Sequence, residues 1–226
     1  MNVLIACEES QEVCKAFRAK GHSAFSCDIQ PCSGGHPEWH IQGDVLPLLN
    51  GDCMFTTTDG LSHNLVGKWD LIIAHPPCTY LSNCCTRGFS LKCTPPDKVV
   101  ARWEERAKAA VFFMMFVGAD CDKIAIENPV GFMSGAYRKP DQYINPWMFA
   151  ESKDSIDYNS KKTGLWLKGL PKLIGNGVFK EFDCGTVYGY HPSGKSKTWV
   201  DTCSRSAKVR SKTFPGIAKA MAEQWG

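Results

Sequence analysis

The sequence predicts an α/β fold whose core is a sheet of mainly parallel strands with helices on both faces. Two observations predict it. Short apolar runs, each closed by a polar residue or proline, recur along residues 2–129, with amphipathic helical stretches between them. Strands that alternate with helices argue for parallel pairing. The hydrophobic fraction of 43% against 22% charged supplies a packed core, which sets disorder aside. At 226 residues the chain suits one domain with a small appendage.

The elements follow in order. Asn2 to Cys7 is a buried strand. Gln11 to Lys20 is a helix, with Ser10 as its N-cap, Val13, Ala16 and Phe17 as its apolar stripe and Gly21 as its stop. Ser23–Ile29, His40–Val45 and Trp69–Ala74 are strands, the last ended by Pro76-Pro77. A Ser-, Cys- and Thr-rich loop spans Thr79–Pro96. Asp97–Gly118 is the strongest helix, with Val99, Trp103, Ala107, Ala110, Met114 and Val117 at helical spacing. Lys123–Glu127 is a further strand, closed by Asn128-Pro129. Beyond it, Gly164–Lys168 and Thr198–Val200 read as strands, residues 130–162 and 175–196 as loop-rich, and Ile217–Trp225 as a terminal helix. This divides the chain into a catalytic region, 1–170, and a small basic C-terminal region, 171–226.

Several function classes are set aside at this point. The longest apolar run, Ala109–Val117, is too short to span a bilayer, and the acidic N-terminus lacks a signal peptide's basic start. A cytoplasmic protein with no membrane partner is expected. Twelve cysteines without a C-x-x-C pair are expected to be free thiols, with no metal site. Charge is uneven: residues 1–130 hold 11 Lys and Arg against 15 Asp and Glu, whereas residues 131–226 hold 15 against 8. Lys195 to Lys212 carries six basic residues and one acid, which suits either a solvated face or contact with phosphate.

Ligands of open α/β sheets bind beyond the C-terminal strand ends. Glu8, Asp28, Asp44 and Glu127 fall at such ends, and Cys78 follows another. A dinucleotide turn needs glycines so that backbone amides can approach a pyrophosphate. The turn Cys7-Glu8-Glu9-Ser10-Gln11 has no glycine and two carboxylates that repel phosphate. S-adenosylmethionine has no phosphate and carries a sulfonium and an ammonium, so it suits this turn. Cys7, Glu8, Ser10 and Pro76 are its expected neighbours, with Asp28 accepting from ribose and Asp44 from the adenine amino group. Each acid alone reads as readily as a turn residue. Cys78 follows two prolines that fix its backbone, and thiolate is a strong nucleophile. Alone it reads equally as a buried structural thiol. Glu127 at the next strand end tips the balance. A carboxyl there can protonate cytosine N3 while thiolate adds to C6, which makes C5 nucleophilic.

On Ile73-Ala74-His75-Pro76-Pro77-Cys78-Thr79-Tyr80 and Glu127-Asn128-Pro129, the chain resembles the cytosine C5 DNA methyltransferase family, in particular its short bacteriophage members. The resemblance spans most of residues 2–170. It implies a Rossmann-like S-adenosylmethionine-dependent methyltransferase sheet with a reduced C-terminal recognition region. It places the family's Pro-Cys pair on Pro77-Cys78, its Glu-Asn pair on Glu127-Asn128 and its cofactor acids on Asp28 and Asp44. The family's glutamine/arginine-rich strand has only a loose match, Lys161-Lys162-Thr163, from which Lys162 is taken as a catalytic residue. Pro77, Asn128, Arg87, Lys195 and Lys197 are expected to contact substrate. The first loop departs from the family's glycine-rich pattern, and residues 130–226 leave little chain for sequence readout. The expected substrate is cytosine in DNA, with the base flipped out of the stack. A free cytosine nucleotide is the alternative. Two others are amino methylation of cytosine or adenine, kept open by His75 and Tyr80, and an inactive nucleic-acid-binding relative.

Overall fold

The computed structural model describes residues 1–180, 185–198, 201 and 210–226. Its centre is a seven-stranded sheet. β1 (Asn2–Ala6) pairs in parallel with β2 (Ser23–Asp28) on one side and β6 (Leu71–Ala74) on the other. β3 (His40–Gln42) extends the β2 edge, and β7 (Ile124–Pro129) lies parallel beside β6. β9 (Thr163–Lys168) then runs antiparallel to β7, with β8 (Gln142–Ile144) antiparallel to β9 at the edge. The order is β3-β2-β1-β6-β7-β9-β8. Val3-Leu4-Ile5-Ala6 and Leu71-Ile72-Ile73-Ala74 are all buried, as strands covered on both faces require.

One face is covered by α1 (Glu12–Ala19) and α4 (Pro215–Trp225), which pack on each other. Val13, Phe17, Ile217, Met221 and Trp225 meet Val3, Ile5, Leu71 and Ile73 there. The other face is covered by α2 (Pro96–Val117), with α3 (Met133–Ala136) as a single turn beyond β7. Phe113 meets Trp166 edge to face at 5.2 Å. A two-stranded antiparallel hairpin, β4 (Cys53–Thr56) and β5 (Ser62–Leu65), closes this core around Phe55 and Trp69. Among the described residues no helix is long and apolar enough to cross a membrane.

The structure corrects several expectations. The β4–β5 hairpin and β8 were not foreseen, because neither carries a long apolar run. Thr198 lies outside any strand, and Trp199 and Val200 lie outside the described residues. The predicted stripe of α2 does not define its buried face. Val99, Arg106, Phe113 and Phe116 face inward, while Trp103 (47% exposed) and Met114 face out. The run Ala109–Val117 is apolar all round, so periodicity does not select a side. Ser10 is not the cap of α1. Gln11 occupies the N-cap position in a left-handed conformation and makes no side-chain cap. Glu8 takes that role: its two carboxylate oxygens accept from Val13 N at 2.7 Å and Cys14 N at 3.1 Å.

Candidate active site

In a sheet of this order the strand order reverses between β1 and β6, which opens a crevice beyond their C-terminal ends. β1 delivers Cys7 and Glu8 to that rim, β6 delivers His75 to Cys78, and β7 delivers Glu127. The chain after Cys78 is folded tightly onto the chain after Glu127. Leu81 N and Ser82 N donate to the Cys78 carbonyl, Asn83 N donates to Val130 O and Phe132 N to Leu81 O. Gly131 makes this crossing possible, because a Cβ there would stand 2.0 Å from the Leu81 carbonyl oxygen. Arg106 of α2 holds the same loop from the other side. It is buried, donates from Nε to Tyr80 O at 2.8 Å and stacks over the Phe89 ring at 3.4 Å.

The structure thus brings Cys78 and Glu127 to adjacent strand ends, where the Glu127 charge acts on the Cys78 thiol. His75 Nδ1 lies 3.0 Å from Glu127 Oε2. Burial alone would raise the Glu127 carboxyl. The His75 hydrogen bond, the Lys161 ammonium and the Thr163 hydroxyl outweigh it and hold the carboxyl below its ordinary range. Burial and the Glu127 charge push the Cys78 thiol up, with Lys161 pulling it down. The resting site is therefore a thiol beside a carboxylate. A cavity of about 10 Å³, lined by Glu127, Lys161, Thr163, Thr213 and Phe214, separates the carboxylate from α4.

The other residues named for substrate or catalysis lie apart from this pair or are engaged otherwise. Lys162 is exposed, with its ammonium 4.7 Å from the Tyr143 ring centre. Lys161 is the lysine at the charged cluster, and it also donates to Lys212 O at 3.2 Å. Asn128 is buried, and its Nδ2 donates to Pro76 O at 2.8 Å. It therefore pins the Pro-Pro segment instead of facing substrate. Arg87 stands exposed on a 3₁₀ turn, Asn83–Phe89, and Pro77 is exposed beside the buried Pro76. Lys195 and Lys197 sit in a tight hairpin, residues 188–197, where Tyr188 N donates to Lys197 O and Lys197 N to Gly189 O. Arg205 and Lys208 lie outside the described residues.

The expected cofactor residues divide in the same way. Glu8 is buried with both oxygens on α1 amides, and Ser10 is buried beneath the turn. Neither is a free ligand. The capped amides are those that a pyrophosphate would need, so this turn has no anion site to offer. Asp28 and Asp44 remain at the ends of β2 and β3. Asp28 is half-buried, with Oδ1 accepting from Gln30 N at 2.9 Å, and burial raises its carboxyl. Asp44 is exposed and accepts from Leu46 N at 3.0 Å. Both lie close enough to Cys7 to push its thiol up, after burial as the larger cause. Two carboxylates converging on a crevice without an anion cradle fit a cationic, phosphate-free cofactor. A second concavity, of about 600 Å³, is lined by Lys15, Arg18, His22, His36 and Trp39 and contains none of these residues.

His75, Lys161 and Thr163 were not singled out for these roles. Their signal was available only for Lys161, in the Lys161-Lys162-Thr163 run, where alternation along a strand entry would have separated the two lysines. No protein-family model matches the chain, and no match to a curated protein was found.

Proposed function

We propose that this chain is an S-adenosylmethionine-dependent C5 methyltransferase acting on cytosine in DNA. The observation that carries the reading is the juxtaposition of Cys78 with Glu127 at neighbouring strand ends, beside a crevice whose first turn is closed to phosphate. Asp28 and Asp44 would hold the ribose and adenine of the cofactor. Bound there, S-adenosylmethionine supplies an electrophilic methyl group. The residues of this chain prepare the base to accept it. The Cys78 thiol gives up its proton and its sulfur bonds to C6. A proton passes through Glu127 to N3, and electron density moves to C5. After C5 is alkylated, its hydrogen leaves to solvent as a proton, the S–C6 bond breaks with its electron pair on sulfur, and the N3 proton returns through Glu127 to the sulfur, which restores both thiol and aromatic ring. Because Glu127 rests as a carboxylate, it can accept the thiol proton before it protonates N3.

The hairpin of residues 188–197 favours a polynucleotide over a free nucleotide. It presents Tyr190, 68% exposed, beside Lys195 and Lys197. An exposed aromatic ring and two lysines carried on one projecting turn suit a strand, through base stacking and phosphate contact. The hairpin is tied to the body by Tyr188, whose hydroxyl donates to Asn159 Oδ1 at 3.0 Å, two residues before Lys161.

The test is covalent trapping. Fluorine at C5 does not leave as a proton, so DNA containing 5-fluorocytosine is expected to remain bonded to Cys78 when the cofactor is present. Cys78→Ala should abolish trapping and turnover while cofactor binding by calorimetry persists. Turnover without trapping would point to amino methylation, and absence of cofactor binding would refute the methyltransferase reading. Labelled methyl transfer to duplex DNA, single-stranded DNA, dCMP and dCTP, measured side by side, identifies the form in which cytosine is used.

A further inference from the structure

His75 occupies an unusual electrostatic position. It directly follows β6, three residues before Cys78, and its side chain is 8% exposed. Nδ1 meets Glu127 Oε2 at 3.0 Å, whereas Nε2 is buried and has no hydrogen-bond partner among the described residues. An N–H at Nε2 would be a buried donor without an acceptor, which is costly, while a bare ring nitrogen is tolerated better. The arrangement therefore selects the tautomer that carries its hydrogen on Nδ1, where a carboxylate receives it. The charged and titratable groups around the pair come from several elements. Glu8 lies on the β1–α1 turn, Glu127 on β7 and Cys78 on the segment of His75 itself, while Lys161 and Thr163 stand at the start of β9. Glu8 is already committed to the amides of α1.

We propose that His75 is a positioning residue for Glu127. Its Nδ1–H fixes one carboxylate oxygen at the wall of the crevice, so that the carboxyl keeps one orientation toward the N3 edge of the cytosine. His75 itself touches neither substrate nor cofactor in this role. For its kinetic consequence the inference rests on the cytosine C5 reading; for its structural content it does not.

Asparagine and glutamine separate the two ring nitrogens. The Asn side-chain amide overlays Nδ1, and the Gln amide reaches the place of Nε2. In His75→Asn the Glu127 contact is kept; in His75→Gln and His75→Leu it is lost. Two measurements test this. First, with ¹³C-labelled glutamate and Glu127→Gln to assign the signal, the Glu127 carboxyl is expected to titrate at higher pH in His75→Leu and His75→Gln than in wild type. His75→Asn should stay close to wild type. Second, turnover should fall by about tenfold to a hundredfold in His75→Leu and His75→Gln, the scale of a misplaced catalytic group. KM for the cofactor should be unchanged, and His75→Asn should recover most of kcat. Thermal melts identify any variant that has not folded; the Asn and Gln variants, alike in chemistry, keep the comparison decisive if the Leu variant fails. An unmoved Glu127 titration in His75→Gln, or recovery by Gln in place of Asn, would overturn the proposal. Titrations that move as expected in a protein without methyltransferase activity would leave the positioning role standing and refute the functional reading alone.

Discussion

At the scale of single residues, the site is an arrangement of charges around one thiol. The Lys161 ammonium pulls the Cys78 thiol down, and after the His75 hydrogen bond it helps to hold Glu127 as a carboxylate. Lys161→Met is therefore expected to move the pH dependence of Cys78 alkylation by iodoacetamide upward and to slow the reaction severalfold at neutral pH. Lys161→Arg should restore most of it, whereas Lys162→Met should leave the profile in place. An unshifted profile in Lys161→Met would show that the ammonium does not govern the thiol. The strand-end positions of Pro77-Cys78 and Glu127-Asn128 were legible in the sequence because prolines and polar residues that close apolar runs leave a local pattern. Lys161 was not, since its role depends on which of two adjacent lysines turns toward β7. Asn128 was misread for the same reason: its type suits a base edge, but its amide is taken by the Pro76 carbonyl.

At the scale of elements, helix α1 illustrates how the sequence hides a cap. Ser10 has the residue type of an N-cap, yet Glu8, further from the helix, reaches Val13 N and Cys14 N. Burial raises the Glu8 carboxyl, partly offset by His75 and by those two amides. A carboxyl raised in the folded state binds its proton more tightly there than in the unfolded chain. Its contribution to stability is then fully present below the unfolded value near 4.5 and declines as pH rises through the folded one. Glu8→Gln removes this dependence, so wild type should gain stability relative to Glu8→Gln as pH is lowered from 7 toward 4.5. Denaturant melts at several pH values measure the difference, and a gap that is constant or opposite in sign would refute it. Glu8→Ala, which removes the acceptors, should cost about 1 kcal/mol or more at any pH. The 188–197 hairpin is the second element with its own prediction. Lys195→Gln with Lys197→Gln should reduce the salt dependence of single-stranded DNA binding by about 0.7 per lost contact. Tyr190→Ala should weaken binding without changing that slope, by about 1–3 kcal/mol if a base stacks there. The bounds of α2 were legible to within one residue because Pro95-Pro96 and Gly118 punctuate it, while its buried side was not, for want of polar residues after Lys108.

At the scale of the whole molecule, the ends of the chain meet around the sheet. The parallel centre was readable because strands buried on both faces leave apolar runs, and β9 was readable on the same ground; its antiparallel pairing, β8 and the β4–β5 hairpin were not, since half-exposed short strands leave no such run. The C-terminal helix α4 lies across α1 and the sheet; Thr213 and Phe214, which lead into it, line the Glu127 cavity, and the Lys212 carbonyl accepts from Lys161. Fold stability and site geometry therefore share this segment but load different residues. Met221 is fully buried against the sheet face opposite α2, whereas the Phe214 ring is buried with the Lys161 ammonium 5.9 Å from its centre. Met221→Ala should cost about 2–5 kcal/mol of stability and Phe214→Ala about 3–5 kcal/mol, both read from denaturant melts. Only Phe214→Ala should also change the site. Without the ring, Lys161 loses one wall and Glu127 gains access to water from the α4 side, so Cys78 alkylation should shift in pH dependence while Met221→Ala follows the wild-type profile. Equal shifts in both variants would mean that general loosening reaches the thiol, and no shift in either would mean that the segment before α4 supports the fold alone.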